Sequence, residues 1–142
     1  MNTTDNLLAY LENADRTALS RYKVTQLKGR ITDYREYMDY LIRKSGRRRL
    51  DLFRLAGVHE SYGYKLLNGE IRTGDRDRLL RILISLHTTL GECQRALKLH
   101  MTAILSPYSP RDAVLIYALC HRIYDLDWID DRLIEAGERA LQ

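Results

Sequence analysis

Apolar residues recur at helical spacing along most of the chain, and almost nothing alternates with the period of two that marks a half-buried strand. Asp5 stands as a cap before Leu7, Leu8 and Leu11, and a second short segment runs from Thr17 towards Tyr22. Lys23 to Arg30 has no clear period and reads as a linker. Asp33, with Glu36 three positions on, has the form of a capping box. Tyr34, Tyr37, Met38, Leu41 and Ile42 then follow on one helical face, and Ser45-Gly46 closes that helix. Arg47 to Ala56 is the next helix, with Leu52, Phe53 and Leu55 as its apolar set and Gly57 as its stop. A short helix after Gly57-Val58 ends at Asn68-Gly69.

Beyond Gly69 the pattern repeats. Arg76-Asp77-x-x-Leu80 recurs as Arg111-Asp112-x-x-Leu115, and Leu83-Ile84 recurs as Ala118-Leu119. One residue further out of step, Thr89-Leu90 matches Asp125-Leu126, Leu97 matches Leu133 and Leu105 matches Leu141. Each unit reads as an αα-hairpin. Thr89 with Glu92 forms a capping box in the first, while Ser109-Pro110 starts the second and Gly137 stops it. Such units bury their apolar faces by stacking on neighbours, so the hairpin from Arg111 is expected to pack on the one from Arg76. Val114, Leu115, Ala118, Leu119, Ile129, Leu133 and Ile134 would form its apolar face. The expected organisation is a helical arm and linker over 1–30, a helical domain with the first hairpin over 31–105, and the second hairpin over 106–142.

A chain of 142 residues can bury a core without staples, and its two cysteines are too few for a disulfide scaffold. Nothing at the N-terminus resembles a signal peptide, and no apolar run approaches the roughly 20 residues that span a bilayer, so a cytoplasmic protein with no membrane partner is expected. The net charge of +4 is unevenly spread. From Arg43 to Arg81 there are eleven basic and five acidic side chains, a net of +6, whereas from Asp112 onward three oppose seven, a net of −4. The middle of the chain therefore suits a polyanion and its end does not.

In that basic region, Arg47 to Ala56, the turn at Gly57-Val58, and the helix ending at Asn68-Gly69 have the lengths and glycine positions of a helix-turn-helix. Over roughly residues 32 to 86 the sequence resembles the phage-repressor-like, or Xre, family of helix-turn-helix regulators. GVHESYGYKLLNG followed by RDRLL is similar to a subgroup of small bacterial regulators with an added helical C-terminal region, here ending in Arg111-Asp112-Ala113 and Gly137. The fold this implies is all-α, a lambda-repressor-like bundle with an appended pair of αα-hairpins. Two positions depart from the family pattern together: Phe53 replaces a small residue four before the turn glycine, and Gly63 replaces a bulky aliphatic on the facing helix. A large-for-small exchange matched by its reverse conserves volume, so Phe53 is expected to lie across Gly63.

With Gly63, Leu66 and Leu67 inward, helical geometry turns Glu60, Ser61, Tyr64 and Lys65 outward. The resemblance implies that this face, Glu60 to Asn68, enters the major groove. Lys65 would then donate to guanine, Glu60 accept from cytosine N4, Ser61 do either, and Tyr64 touch a thymine methyl. It also implies phosphate contact at the start of the preceding helix by Arg47, Arg48 and Arg49. Arg72, Arg76 and Arg78 would flank the far side.

Catalysis and metal binding find no support. Ser20-x-x-Lys23 lacks the partners of a nucleophile motif. Cys93, His100, Cys120 and His121 have no paired ligand spacing, and both cysteines are expected to be buried free thiols. Asp125, Asp127, Asp130 and Asp131 lack the glycine and terminal glutamate of a calcium loop, and Asp127 reads as the cap of a helix beginning at Trp128. The expected function is sequence-specific DNA binding in transcription regulation, with no cofactor, and the resemblance implies a homodimer on a palindromic or repeated site. The rival reading is an interaction adaptor in which the helix-turn-helix is a scaffold and the acidic C-terminal hairpin binds a protein partner.

Overall fold

The structure, a computed structural model, describes residue 12, residues 33–72 and residues 76–142. The expected segments at Asp5 to Leu11 and Thr17 to Tyr22, with the linker after them, lie outside the described residues. The chain divides into two units, Met1–Ile31 and Thr32–Gln142.

Every described element of the second unit is a helix: α1 Tyr34–Ser45, α2 Arg49–Ala56, α3 Glu60–Asn68, α4 Asp77–Ser85, α5 Leu90–Leu99, α6 Pro110–Cys120 and α7 Leu126–Glu135. No strand occurs among the described residues, so the all-α class stands. None of these helices is long and apolar enough to cross a membrane. The caps account for most starts. The Asp33 carboxylate accepts from the Glu36 amide, Thr89 and Glu92 complete a reciprocal capping box, and Ser109 accepts from the Asp112 amide ahead of Pro110.

Two starts differ from expectation. Arg48 has extended backbone dihedrals, φ −80° and ψ 151°, so α2 begins at Arg49 and leaves Arg47 outside it. In α7, Asp125 rather than Asp127 is the cap: its carboxylate accepts from the amides of Asp127 (2.9 Å) and Trp128 (3.4 Å), which starts the helix at Leu126. At the end of α2, Gly57 adopts φ +69°. The Gly57 amide donates to Arg54 O and the Val58 amide to Phe53 O, a Schellman reversal that turns the chain into α3.

The core is built from Met38 and Leu41 of α1, Leu52 and Phe53 of α2, Leu66 and Leu67 of α3, and Leu79, Leu80, Ile82, Leu83 and Ile84 of α4. Helix α4 is central: it packs on α2 and also contacts α5 and α7. Leu55, expected inside, is half exposed because the inner arc of the short α2 is taken by Leu52, Phe53 and Ala56. Ile134 is likewise outside, and Val114 only half-buried, while Leu115, Ala118, Leu119, Ile129 and Leu133 are buried as expected. Cys93 is buried and its thiol is pushed up to about 12 by desolvation, but Cys120 is exposed, against expectation.

The repeat extends to individual hydrogen bonds. The amides of His87 and Arg122, 35 residues apart, donate to Ile84 O and Leu119 O, and both residues have φ +56°. Met101 (φ +61°) and Gly137 (φ +78°), 36 apart, close α5 and α7 in the same way. Gln94 accepts from the Leu105 amide at 2.7 Å and Asp130 from the Leu141 amide at 2.9 Å.

The second hairpin packs on the first through α5 with α6 and α4 with α7, and the two exchange charges. Arg76 pairs with Asp112 and Arg111 with Asp77, the latter at 2.8 Å, so the Arg-Asp step of each repeat closes on that of the other. Each aspartate also takes the amide that ends the opposite hairpin: Asp112 that of Ser106 (3.0 Å), Asp77 that of Gln142 (3.1 Å). The result is a local pseudo-two-fold. Arg81 ties the hairpins to α2, donating to Ala56 O (2.6 Å) and Leu141 O (3.2 Å) and placing its charge at the C-terminus of that helix.

Among the buried polar groups, the His100 ring stands without a hydrogen-bond partner. His100 is 1% exposed, neither ring nitrogen is hydrogen-bonded, and its ring lies 4.6 Å from that of Tyr34. Burial, seconded by the Arg72 charge, lowers its pKa below the ordinary 6.5. As the pH falls through that ordinary value the unfolded chain gains a proton that the folded one resists, so His100 draws stability down. His100→Phe, which supplies ring volume without the nitrogens, is expected to flatten the fall in melting temperature between neutral and mildly acid pH. Parallel profiles for the two proteins would exclude His100 as its source.

Candidate nucleic-acid interface

Helix α3 is held by its inner face. Gly63 is buried, and a Cβ built there would stand 2.5 Å from Phe53 Cε1 and 2.6 Å from Cδ1, so the ring occupies the space a side chain would need. Leu66 and Leu67 complete that face, and the buried Tyr34 hydroxyl donates to Leu66 O at 2.9 Å, fixing α3 to α1. Desolvation holds the Tyr34 phenol well above its ordinary range, so it stays protonated and keeps this bond.

Glu60, Ser61, Tyr64 and Lys65 lie together on the exposed side of the same helix. Their freedom differs. The Ser61 hydroxyl is 3.0 Å from His59 Nδ1, which makes His59 a neighbour of the surface that its place in the sequence does not announce. Tyr64 is 39% exposed, because the edge of its ring meets Phe53 at a centroid distance of 5.0 Å. It is half a packing residue. No ion pair holds Glu60 or Lys65 within the described residues.

The arginines divide into three kinds. Arg47 and Arg48 are exposed just before α2; Arg48 pairs with Asp51 at 3.0 Å, but its side chain remains 85% accessible. Neither α2 nor α3 has a side-chain cap on its first amides. Arg49 pairs with Asp39 of α1 at 2.5 Å, on the wall of a crevice of about 210 Å³ lined also by Arg35, Tyr64, Leu67 and Asn68. The sequence signal for that wall is the spacing of Arg35 and Asp39, four apart on the outer face of α1.

Beyond α3, Arg78 is exposed and stacks 4.7 Å over the Tyr62 ring, and Arg72 is exposed while donating to His100 O at 2.9 Å. Arg76 is a correction. Its guanidinium is turned inward onto Asp112 and Ala103 O, with 17% of the side chain accessible, so it is spent in joining the hairpins and leaves the set that can meet a phosphate.

The surface that results has exposed α3 side chains in the middle, Arg47 and Arg48 on the preceding helix start, and Arg72 and Arg78 after it. Such an array can bind an extended polyanion. No group of three or more metal-ligating side chains occurs among the described residues. No protein-family model, curated protein or solved structure matches the chain.

Proposed function

We propose that this chain is a sequence-specific DNA-binding regulator of the Xre helix-turn-helix type, with α3 reading the major groove and the start of α2 resting on the backbone. The observation that carries the reading is that α3 is locked inward by Gly63 against Phe53 while Glu60, Ser61, Tyr64 and Lys65 are presented outward between exposed arginines. Lys65 donates to a guanine edge and Glu60 accepts from a cytosine amine. Arg47 and Arg48, beside the uncapped amides of α2, take phosphates, as do Arg72 and Arg78. The bound form is a dimer on a two-part site.

The test separates base reading from phosphate binding. Lys65→Ala is expected to cost about 1–3 kcal/mol on the preferred duplex and relax preference at one position, leaving non-specific binding nearly intact. Arg47→Ala and Arg48→Ala should weaken binding to every duplex and each reduce the slope of log affinity against log salt by about one. Gel retardation on genomic fragments, followed by salt titration, reads both. If the wild-type chain shows no salt-dependent DNA binding, or all variants bind like wild type, α3 is a scaffold element and the acidic hairpin is the binding surface of an adaptor.

A further inference from the structure

A cavity of about 330 Å³ lies where α2, α4 and the start of α7 meet, a size that small organic ligands fill. Leu55 of α2, half exposed, and Leu126 at the first position of α7 give it apolar walls. Asp125 and Asp127 bring two carboxylates to it. Ser85, the last residue of α4, also lines it, and this serine is 2% exposed with no hydrogen-bond partner for its buried hydroxyl. An unpaired buried hydroxyl costs stability, and alanine would fill the same place without that cost. The carboxylates likewise exceed what the fold requires. Asp125 caps α7 through Oδ1 alone, and Asp127 makes no ion pair or side-chain hydrogen bond among the described residues. Thirty-six residues earlier the corresponding positions are Thr89 and Gly91, so a helix of this kind starts without a charge at either place.

We propose that this cavity binds a small organic amine, its ammonium on Asp125 and Asp127, its hydrocarbon body against Leu55 and Leu126, and a polar group at its far end on the Ser85 hydroxyl. An ammonium offers only donors and a carboxylate only acceptors, and the charge-assisted bonds between them are roughly twice as strong as neutral ones. Arg81 lines the cavity too, but its charge is already answered: the guanidinium donates to Ala56 O and Leu141 O and lies 3.7 Å from the Asp130 carboxylate. The two carboxylates therefore leave the cavity an excess of negative charge. Its leucine walls select an organic cation over a hydrated metal ion, since they have nothing to offer a water shell.

Isothermal titration of the full chain with three probes is the test: tyramine, phenethylamine, which lacks the phenol, and tyrosol, in which a hydroxyl replaces the ammonium. Tyramine is expected to bind saturably, phenethylamine more weakly, and tyrosol about tenfold more weakly than tyramine. Asp127→Asn should weaken tyramine about tenfold as well, whereas Asp131→Asn, at an exposed carboxylate outside the cavity, should leave it unchanged. Ser85→Ala should leave the free protein at least as stable and make tyramine and phenethylamine bind alike. The proposal is overturned by no saturable binding of either amine at millimolar concentration, by tyrosol binding as well as tyramine, by Asp127→Asn or Ser85→Ala proteins that treat the probes as wild type does, or by a loss of stability in free Ser85→Ala. No DNA enters the measurement, so its failure is independent of the Lys65 experiment.

Discussion

Gly63→Val is expected to destabilise the protein by about 3 kcal/mol, the upper end of what overpacking costs. At an open helical site, replacing glycine gains stability, by up to about 1 kcal/mol for alanine, because the unfolded chain has less freedom to lose. Here the sign reverses. The first added carbon would stand 2.5 Å from a ring that is itself 1% exposed and has the Tyr64 ring against it, so Phe53 has little room to give way. Phe53→Ala alone should cost about 3–5 kcal/mol through the cavity it leaves. The double variant Phe53→Ala with Gly63→Ile, which moves the bulk from α2 to α3, should lose much less than the sum of its parts. Chemical denaturation of the set measures this, and additive losses would sink the claim that the two residues share one volume.

Asp112→Ala is expected to cost about 3–5 kcal/mol, since it leaves the largely buried Arg76 guanidinium without its carboxylate and the Ser106 amide without an acceptor. Asp112→Asn keeps an acceptor for the amide and should lose less. Asp77→Ala should match Asp112→Ala, because it stands in the equivalent place, holding Arg111 and the Gln142 amide. Asp51→Ala, which breaks the exposed pair with Arg48, should cost no more than about 1 kcal/mol. Equal losses at Asp51 and Asp112 would mean that the exchanged pairs are ordinary surface contacts.

Much of this fold is legible in the sequence alone. Capping residues and turn glycines act through backbone groups two to four positions away, so Asp33, Thr89, Ser109 and Gly57 can be read locally. The Phe53–Gly63 contact is legible because two anomalies of opposite size imply one another. Arg76 misleads because its partner lies 36 residues away; beside Asp77 in sequence it resembles a solvated charge, and adjacent helical residues do not face each other. Leu55 and Ile134 mislead for a related reason, since periodicity marks an apolar arc but not which part of it a neighbour covers. On the surface of α3, the exposed positions are legible, whereas the His59–Ser61 contact and the seating of Tyr64 on Phe53 depend on how the turn is closed.

The exchanged arginine–aspartate pairs also govern how the molecule breathes. A hairpin held only by its own bonds can fray alone, and a peripheral one such as α6–α7 would be the natural place for that to begin. Here, opening α6 at Asp112 releases Arg76 at the threshold of α4 and frees the amide that ends the first hairpin, while opening at Arg111 strips Asp77 of its cation. The outer pair of helices is thus tied to the central one, and amide hydrogen exchange in α6 and α7 is expected to be as slow as in α4.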